Sequence, residues 1–246
     1  MRYVGILVVV FAMAACTSNS SSSDKPPTTR PTTTRLTAVP KVPGAPNNRH
    51  LARAGLIRST DLPGFLSTPV SSAAGLTDLG EGSQGIPACE KFRRKRNGDA
   101  VEQSPQYTKD ATTVDDFVGV FADAPIVAAE FDLYRDPTFV TCLQLQVTKR
   151  LNDTMPATAS IGHVDVSPIA IANLGNRQFG FRIMSSVTDD TGKVHTLLFD
   201  IVRVAVGRAA INFNPRGPAA DMTALESRLI PVLVGRLRRA GAETTK

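Results

Sequence analysis

The stretch QFGFRIMSSVTDDTGKVHTLLFDIVRVAVGRAAINF, residues 178–213, decides the fold. Two long runs rich in β-branched and aromatic residues, Gln178–Val187 and Val194–Val206, flank the turn-forming segment Asp189–Gly192. A second turn leads from the longer run into a third, Ala209–Phe213. Such runs separated by turn residues predict antiparallel strands. We therefore expect a three-stranded meander.

Helices are predicted on both sides of this meander along the chain. A closing helix begins after Gly217-Pro218, with leucines at helical spacing, and Pro231 is expected to kink or divide it near Ser227. Earlier helices are predicted at 49–57, 87–96, 124–134 and from 137 onward, with extended segments at 65–70 and 107–121. This order indicates an α+β fold, with an antiparallel sheet and helices packed on one face.

The N-terminus has the pattern of an export signal. Arg2 precedes an apolar run of 12 residues, Val4–Ala15, whereas a membrane span takes about 20. Residues 1–15 are therefore predicted to be a signal peptide that is removed. Met13-Ala14-Ala15-Cys16 resembles the bacterial lipobox, with methionine where leucine is usual, and predicts a diacylglyceryl group on Cys16. The alternative is ordinary cleavage near Ala15, which leaves a free thiol.

Residues 16–48 are predicted to be a tether rich in Ser, Thr and Pro. Such a composition buries too little apolar surface to fold, and proline extends it toward polyproline II. Its Thr-rich part is also a candidate for O-linked sugars. The remaining residues, 49–246, suit a single domain.

Cys89 and Cys142 remain once Cys16 is assigned to the anchor. An even pair in an exported protein predicts a disulfide, closing a loop of 53 residues. Two separate buried thiols are the alternative.

The basic pI of 9.5 belongs mainly to the tether. From His50 onward the chain has 22 Lys+Arg against 21 Asp+Glu, so the domain is nearly neutral. A basic tether favours an anionic lipid surface, and export removes the usual nucleic-acid partners. We therefore expect no nucleic-acid binding.

Candidate catalytic residues form no complete set in the sequence. His163 and Asp165 lie two apart on a predicted strand and should point the same way, but two ligands are too few for a zinc site. His195 is predicted to be a half-exposed strand residue. The acidic pairs Asp115-Asp116 and Asp189-Asp190 are interpreted as turn and solvated-face residues rather than a calcium site. No cofactor, metal or enzymatic activity is predicted.

One basic run stands out between residues 91 and 96. Its cations near the end of a predicted helix favour the helix dipole and are interpreted first as a solvated face. The alternative is a docking patch for anionic headgroups or phosphate-bearing envelope polymers. The candidate ligand-binding residues are Lys91, Arg93, Arg94, Lys95 and Arg96.

Several segments together resemble one group of exported actinobacterial proteins. These are Leu62-Pro63-Gly64-Phe65, the strand end 118–124, the second cysteine segment 137–142 and the strand 200–211. The pattern is similar to the extracytoplasmic sensor domain of mycobacterial membrane Ser/Thr kinases of the PknH type, also found on lipoproteins. The resemblance spans about residues 50–242 and implies a disulfide-braced α+β domain with a cleft for an extracytoplasmic ligand. This chain departs from it in having one candidate bridge rather than two, and in lacking a kinase segment.

These features predict a lipid-anchored, non-catalytic binding or sensor-like module on the outer side of the cell membrane. Resemblance to bacterial lipoproteins implies two or three acyl chains, such as palmitate, on Cys16, and more than one chain is what stable anchoring requires. The partners expected are the membrane and an envelope lipid, polymer or protein. A carrier of lipidic envelope molecules and a hydrolase with a non-local active site are the alternatives.

Overall fold

A computed structural model describes residues 47–70, 85–92 and 99–242. The predicted signal peptide, Cys16 and nearly all of the tether lie outside the described residues, as do Arg93, Arg94, Lys95 and Arg96.

The described chain contains four α-helices and eight strands. The helices are α1 (Asn48–Ala54), α2 (Ala124–Leu133), α3 (Thr138–Thr154) and α4 (Ala219–Arg239). The strands are β1 (Leu66–Thr68), β2 (Ala100–Gln103), β3 (Gln106–Lys109), β4 (Thr112–Val120), β5 (Ser160–Pro168), β6 (Arg177–Thr188), β7 (Val194–Val206) and β8 (Ala209–Arg216). Short 3-10 turns occupy Ser59–Asp61 and Pro87–Phe92.

All eight strands join one antiparallel sheet. Its order is β1-β3-β4-β8-β7-β6-β5, and β2 pairs with β4 beside β3. The predicted meander is confirmed as β6-β7-β8, and β7 has the predicted bounds. Turn chemistry fixes the hairpins: the Asp189 carboxylate accepts from the Thr191 N–H at 2.9 Å, and Gly192 takes the positive φ of 80° that glycine tolerates.

Helices pack on the two faces of this sheet in pairs. We define the back face as the side bearing Val202 and Val204 of β7, where these valines join one core with residues of α1 and α4. The front face is the side bearing Ile201, Arg203 and Ala205, because alternate strand residues point to opposite faces. Helices α2 and α3 cover the front face through the cores around Ala205 and Ile201, respectively.

The α+β class, the antiparallel sheet and the disulfide are thus confirmed. The prediction that helices pack on one face of the sheet is wrong, because they cover both faces. The reason lies in the segment Phe199–Val206, whose residues are all buried. Strands covered on both sides show a nearly continuous apolar pattern rather than a strict alternation.

Two predicted helices differ from the structure. Pro231 lies inside α4, which continues from Ala219 to Arg239 as one element rather than dividing near Ser227. Its apolar side packs on the sheet and supports the helix where proline removes one backbone hydrogen bond. The helix predicted at 87–96 is a 3-10 turn over Pro87–Phe92 in its described part.

Candidate functional site

Five polar side chains converge on the front face, over the centre of the sheet. We call them the polar cluster: Asp115, Arg203, Asn212, Asn214 and Arg216. The register sets Asp115 opposite Asn214, and Asn212 opposite Arg203. Directly opposite residues on neighbouring strands have Cβ atoms about 5 Å apart. The sheet therefore holds these groups together on rigid backbone.

Arg203 is anchored to α2. Its Nη1 donates to the Tyr134 hydroxyl at 2.6 Å and to Glu130 Oε1 at 3.3 Å. The guanidinium also lies over the Tyr134 ring, 5.1 Å from its centroid. All three residues are buried, so the charge of Arg203 is balanced by Glu130 within the protein.

Asp115 and Arg216 form the second charged pair of the cluster. Arg216 Nη2 lies 3.4 Å from Asp115 Oδ1, and Asp115 is 4% exposed. Burial raises the pKa of Asp115, and the Arg216 charge and a hydrogen bond with Gln103 offset part of that effect. Together with Glu130, which pairs with Arg203, the charges of the cluster balance.

Asn212 and Asn214 are the unsatisfied members of the cluster. Asn214 is 2% exposed, and within the part of the chain that the structure describes neither its Oδ1 nor its Nδ2 has a hydrogen-bond partner. Asn212 is 4% exposed, and its Oδ1 likewise has no partner among the described residues. A buried amide left without hydrogen bonds costs about 1–3 kcal/mol. Folding stability therefore gives no reason for these carboxamides.

The back face also buries polar groups, and two of them tie an element to the sheet. The Asp116 carboxylate is fully buried and accepts from the Ile57 N–H at 3.1 Å, which fastens the segment after α1. Burial raises the pKa of Asp116 to about 7, while hydrogen bonds with Ser104 and Ile57 act in the opposite direction.

A second buried group on the back face fastens α4. Arg182 donates two hydrogen bonds to the Asp200 carboxylate, at 2.9 Å and 2.6 Å. Glu226 of α4 lies beside this pair, and burial, followed by its hydrogen bond with Asp200, raises the pKa of Glu226 to about 8. The carboxylates of Asp116 and Asp200 thus have structural partners, unlike the carboxamides of Asn212 and Asn214.

The predicted pair Cys89 and Cys142 is bonded in the structure. The bridge links the 3-10 turn Pro87–Phe92 to α3, and both cysteines are fully buried. Phe92 and Phe139 pack edge to face next to it, with ring centroids 5.2 Å apart. The disulfide therefore fixes the 3-10 turn against α3.

Each of the two candidate histidines lies beside an aspartate. His163 Nε2 lies 3.3 Å from Asp165 Oδ1, as the strand spacing predicted, and 3.4 Å from Gln144 Nε2. His195 is half-exposed, as predicted, and contacts Asp189 at 2.8 Å. Neither ring makes a hydrogen bond with a serine, threonine or cysteine among the described residues.

The acidic pairs behave differently from each other. Asp189 and Asp190 lie in the turn between β6 and β7, as predicted. The interpretation of Asp115 and Asp116 as turn and solvated-face residues is wrong, because both are buried in the middle of β4. Adjacent strand residues point to opposite faces, so one aspartate enters each core.

Of the basic run, only Lys91 is described. Its Nζ lies 2.6 Å from Asp136 Oδ2 and 5.0 Å from the Phe92 ring centroid. Lys91 thus pairs with the residue whose carboxylate also accepts from the Thr138 N–H at the start of α3.

The described ranges, 47–70, 85–92 and 99–242, hold no group of three or more His, Cys, Asp or Glu side chains arranged to bind a metal ion. None of their helices combines the length and apolar character that crossing a bilayer requires.

Sequence reasoning missed the polar cluster, and the signal for it was weak. In Ile211-Asn212-Phe213-Asn214 polar and apolar residues alternate, which normally indicates a strand with one solvated face. Asparagine is depleted in strands, so two in one strand are unusual. Their burial follows only from the coverage of both faces.

No protein-family model matches the chain, and no curated protein matches it. Among solved structures, it is similar to the extracellular domain of PknH from Mycobacterium tuberculosis, at 10% identity and a TM-score of 0.39, over 79% of this chain and 98% of that one. It is also similar to PA94 of Pseudomonas aeruginosa, a protein of unknown function, at 11% identity and a TM-score of 0.24, over 63% and 87%. These values place the chain in no family.

Proposed function

We propose that this chain is a lipid-anchored, non-catalytic binding module on the extracytoplasmic face of the cell membrane. The observation that carries the binding role is the pair of buried, unpartnered carboxamides in the polar cluster. Groups that cost stability and rest on rigid strands are typical of sites kept for a ligand. The disulfide supports an oxidising compartment.

The anchor itself is tested by fractionation. The full chain is expressed in a lipoprotein-processing bacterium, and intact mass and membrane partition are measured. We expect acylated protein in the membrane fraction, Cys16→Ala in the soluble exported fraction, and Ser18→Ala behaving like wild type. Retention of Cys16→Ala in the membrane would contradict lipid anchoring.

Binding is tested by native mass spectrometry of the full chain. A co-purified ligand that is present in wild type and absent from Asn214→Leu supports the proposal. A wild-type chain that carries no bound mass, from cells or from envelope extract, counts against it.

The basic run is a second contact surface in this proposal, directed at anionic headgroups. Because Lys91 is paired with Asp136, the sharpest variant replaces Arg93, Arg94, Lys95 and Arg96 with glutamine and keeps Lys91. Weaker sedimentation of the Cys16→Ala chain with anionic vesicles would support the patch. Unchanged sedimentation would leave the run as a solvated surface.

A further inference from the structure

We infer that the polar cluster binds a neutral saccharide. This inference deepens the proposed binding function and rests on it. Three buried atoms carry it: Oδ1 and Nδ2 of Asn214, and Oδ1 of Asn212. The two residues are two apart on β8 and point to the same face, so their carboxamides stand about 7 Å apart along the strand.

The charges of the cluster argue for a ligand without net charge. Arg203 is matched by Glu130, and Arg216 is matched by Asp115. An anionic or cationic ligand would have to break one of these pairs and leave the other member without its ion pair, which is strongly unfavourable for a buried charge. The unmet hydrogen-bonding capacity of Asn212 and Asn214 carries no charge.

That capacity fits hydroxyl groups best. Asn214 offers two N–H donors and an acceptor, and Asn212 offers a further acceptor, so the ligand must both donate and accept. A hydroxyl does both with one atom. Phe117 lies opposite Asn212 on β4, on the same face and partly exposed, and its ring suits the C–H face of a sugar.

Burial limits what part of a saccharide can reach the carboxamides. Asn214 and Asn212 are only 2% and 4% exposed, which excludes a polymer passing over the face, so a ligand reaches them only with its end. We therefore expect recognition of a terminal sugar residue.

Saturation-transfer NMR tests saccharide binding on the full chain carrying Cys16→Ala. The sugar probes are free N-acetylglucosamine, mannose and arabinose. The neutral peptide N-acetyl-alanyl-alanine amide represents a ligand of another chemical class. The matched control is Gln178→Leu, because Gln178 Oε1 is also buried without a partner among the described residues but lies on the back face. Near-UV circular dichroism checks the folding of every variant, and Asn212→Leu replaces Asn214→Leu if the latter does not fold.

We expect at least one sugar to receive saturation from wild type and from Gln178→Leu, with affinity at least about tenfold weaker in the asparagine variant, the equivalent of one hydrogen bond. Saturation of the peptide alone, of no sugar, or equally in the asparagine variant would overturn the saccharide assignment. A co-purified ligand of another class, lost in Asn214→Leu, would overturn it while leaving the binding function intact. If no ligand of any kind is found, both fail.

Discussion

Asp116 should make the stability of this domain fall as the pH rises through neutrality. Its ordinary pKa is 3.8, and burial raises it to about 7 in the folded protein. A carboxyl group with a raised folded pKa contributes stability that is fully present below its unfolded pKa and is lost as the pH rises through the folded pKa. At about 1.4 kcal/mol per pKa unit, the loss between pH 4 and pH 7 amounts to about 4 kcal/mol.

The substitution Asp116→Asn isolates this effect. Asparagine keeps the oxygen that accepts from the Ile57 N–H and cannot ionise. We expect the variant to be more stable than wild type by about 1 kcal/mol at pH 4.5 and by about 4 kcal/mol at pH 8.5. Asp165→Asn, which changes an exposed aspartate, should follow wild type throughout.

Urea unfolding at constant ionic strength, from pH 4.5 to 8.5, measures the difference between the two curves. Glu226 adds its own pH dependence, which both proteins share, so only the difference is diagnostic. Parallel curves for wild type and Asp116→Asn would refute the reasoning, since they would mean that Asp116 titrates alike in the folded and unfolded states.

Four further changes should shift the free energy of unfolding in defined directions. Asn214→Leu should stabilise by about 1–3 kcal/mol in urea titrations, because leucine removes two unpartnered buried atoms. Asn176→Leu should destabilise by only about 0.5–1.5 kcal/mol, because the hydrogen bond that its Oδ1 accepts from the Gly207 N–H at 2.6 Å is exposed. Reduction of the disulfide should cost about 4 kcal/mol for a separation of 53 residues, and an unchanged urea midpoint would contradict this. Arg236→Met should cost about 3 kcal/mol by thermal or urea unfolding, since it strands the nearly buried Asp61 carboxylate.

The strands of the meander could be predicted because their signals are local. Alternating apolar residues and the turn at Asp189–Gly192 lie within a few residues of each other, and the predicted bounds of β7 match the structure. The start of α3 was equally local, since a helix is predicted from residue 137 onward and α3 begins at Thr138.

The polar interior could not be predicted, because it depends on which elements meet in three dimensions. Asp115-Asp116 is a turn-like dipeptide by composition, and only its position between β8 and the paired strands β2 and β3 makes it a buried segment. The four-residue strand β2 is likewise too short to show a pattern of its own.

The hydrogen bonds that a buried polar side chain makes show whether its polarity has a structural role. On the back face, Asp116 and Asp200 each hold an element in place, so their polarity is explained by the contacts they make. On the front face, Asn212 and Asn214 make no such contacts within the described chain, although apolar residues of similar size would fold at lower cost. A fold that tolerates this cost at its centre, at two positions on the same face of one strand, has its candidate ligand site there rather than at the exposed histidine pairs.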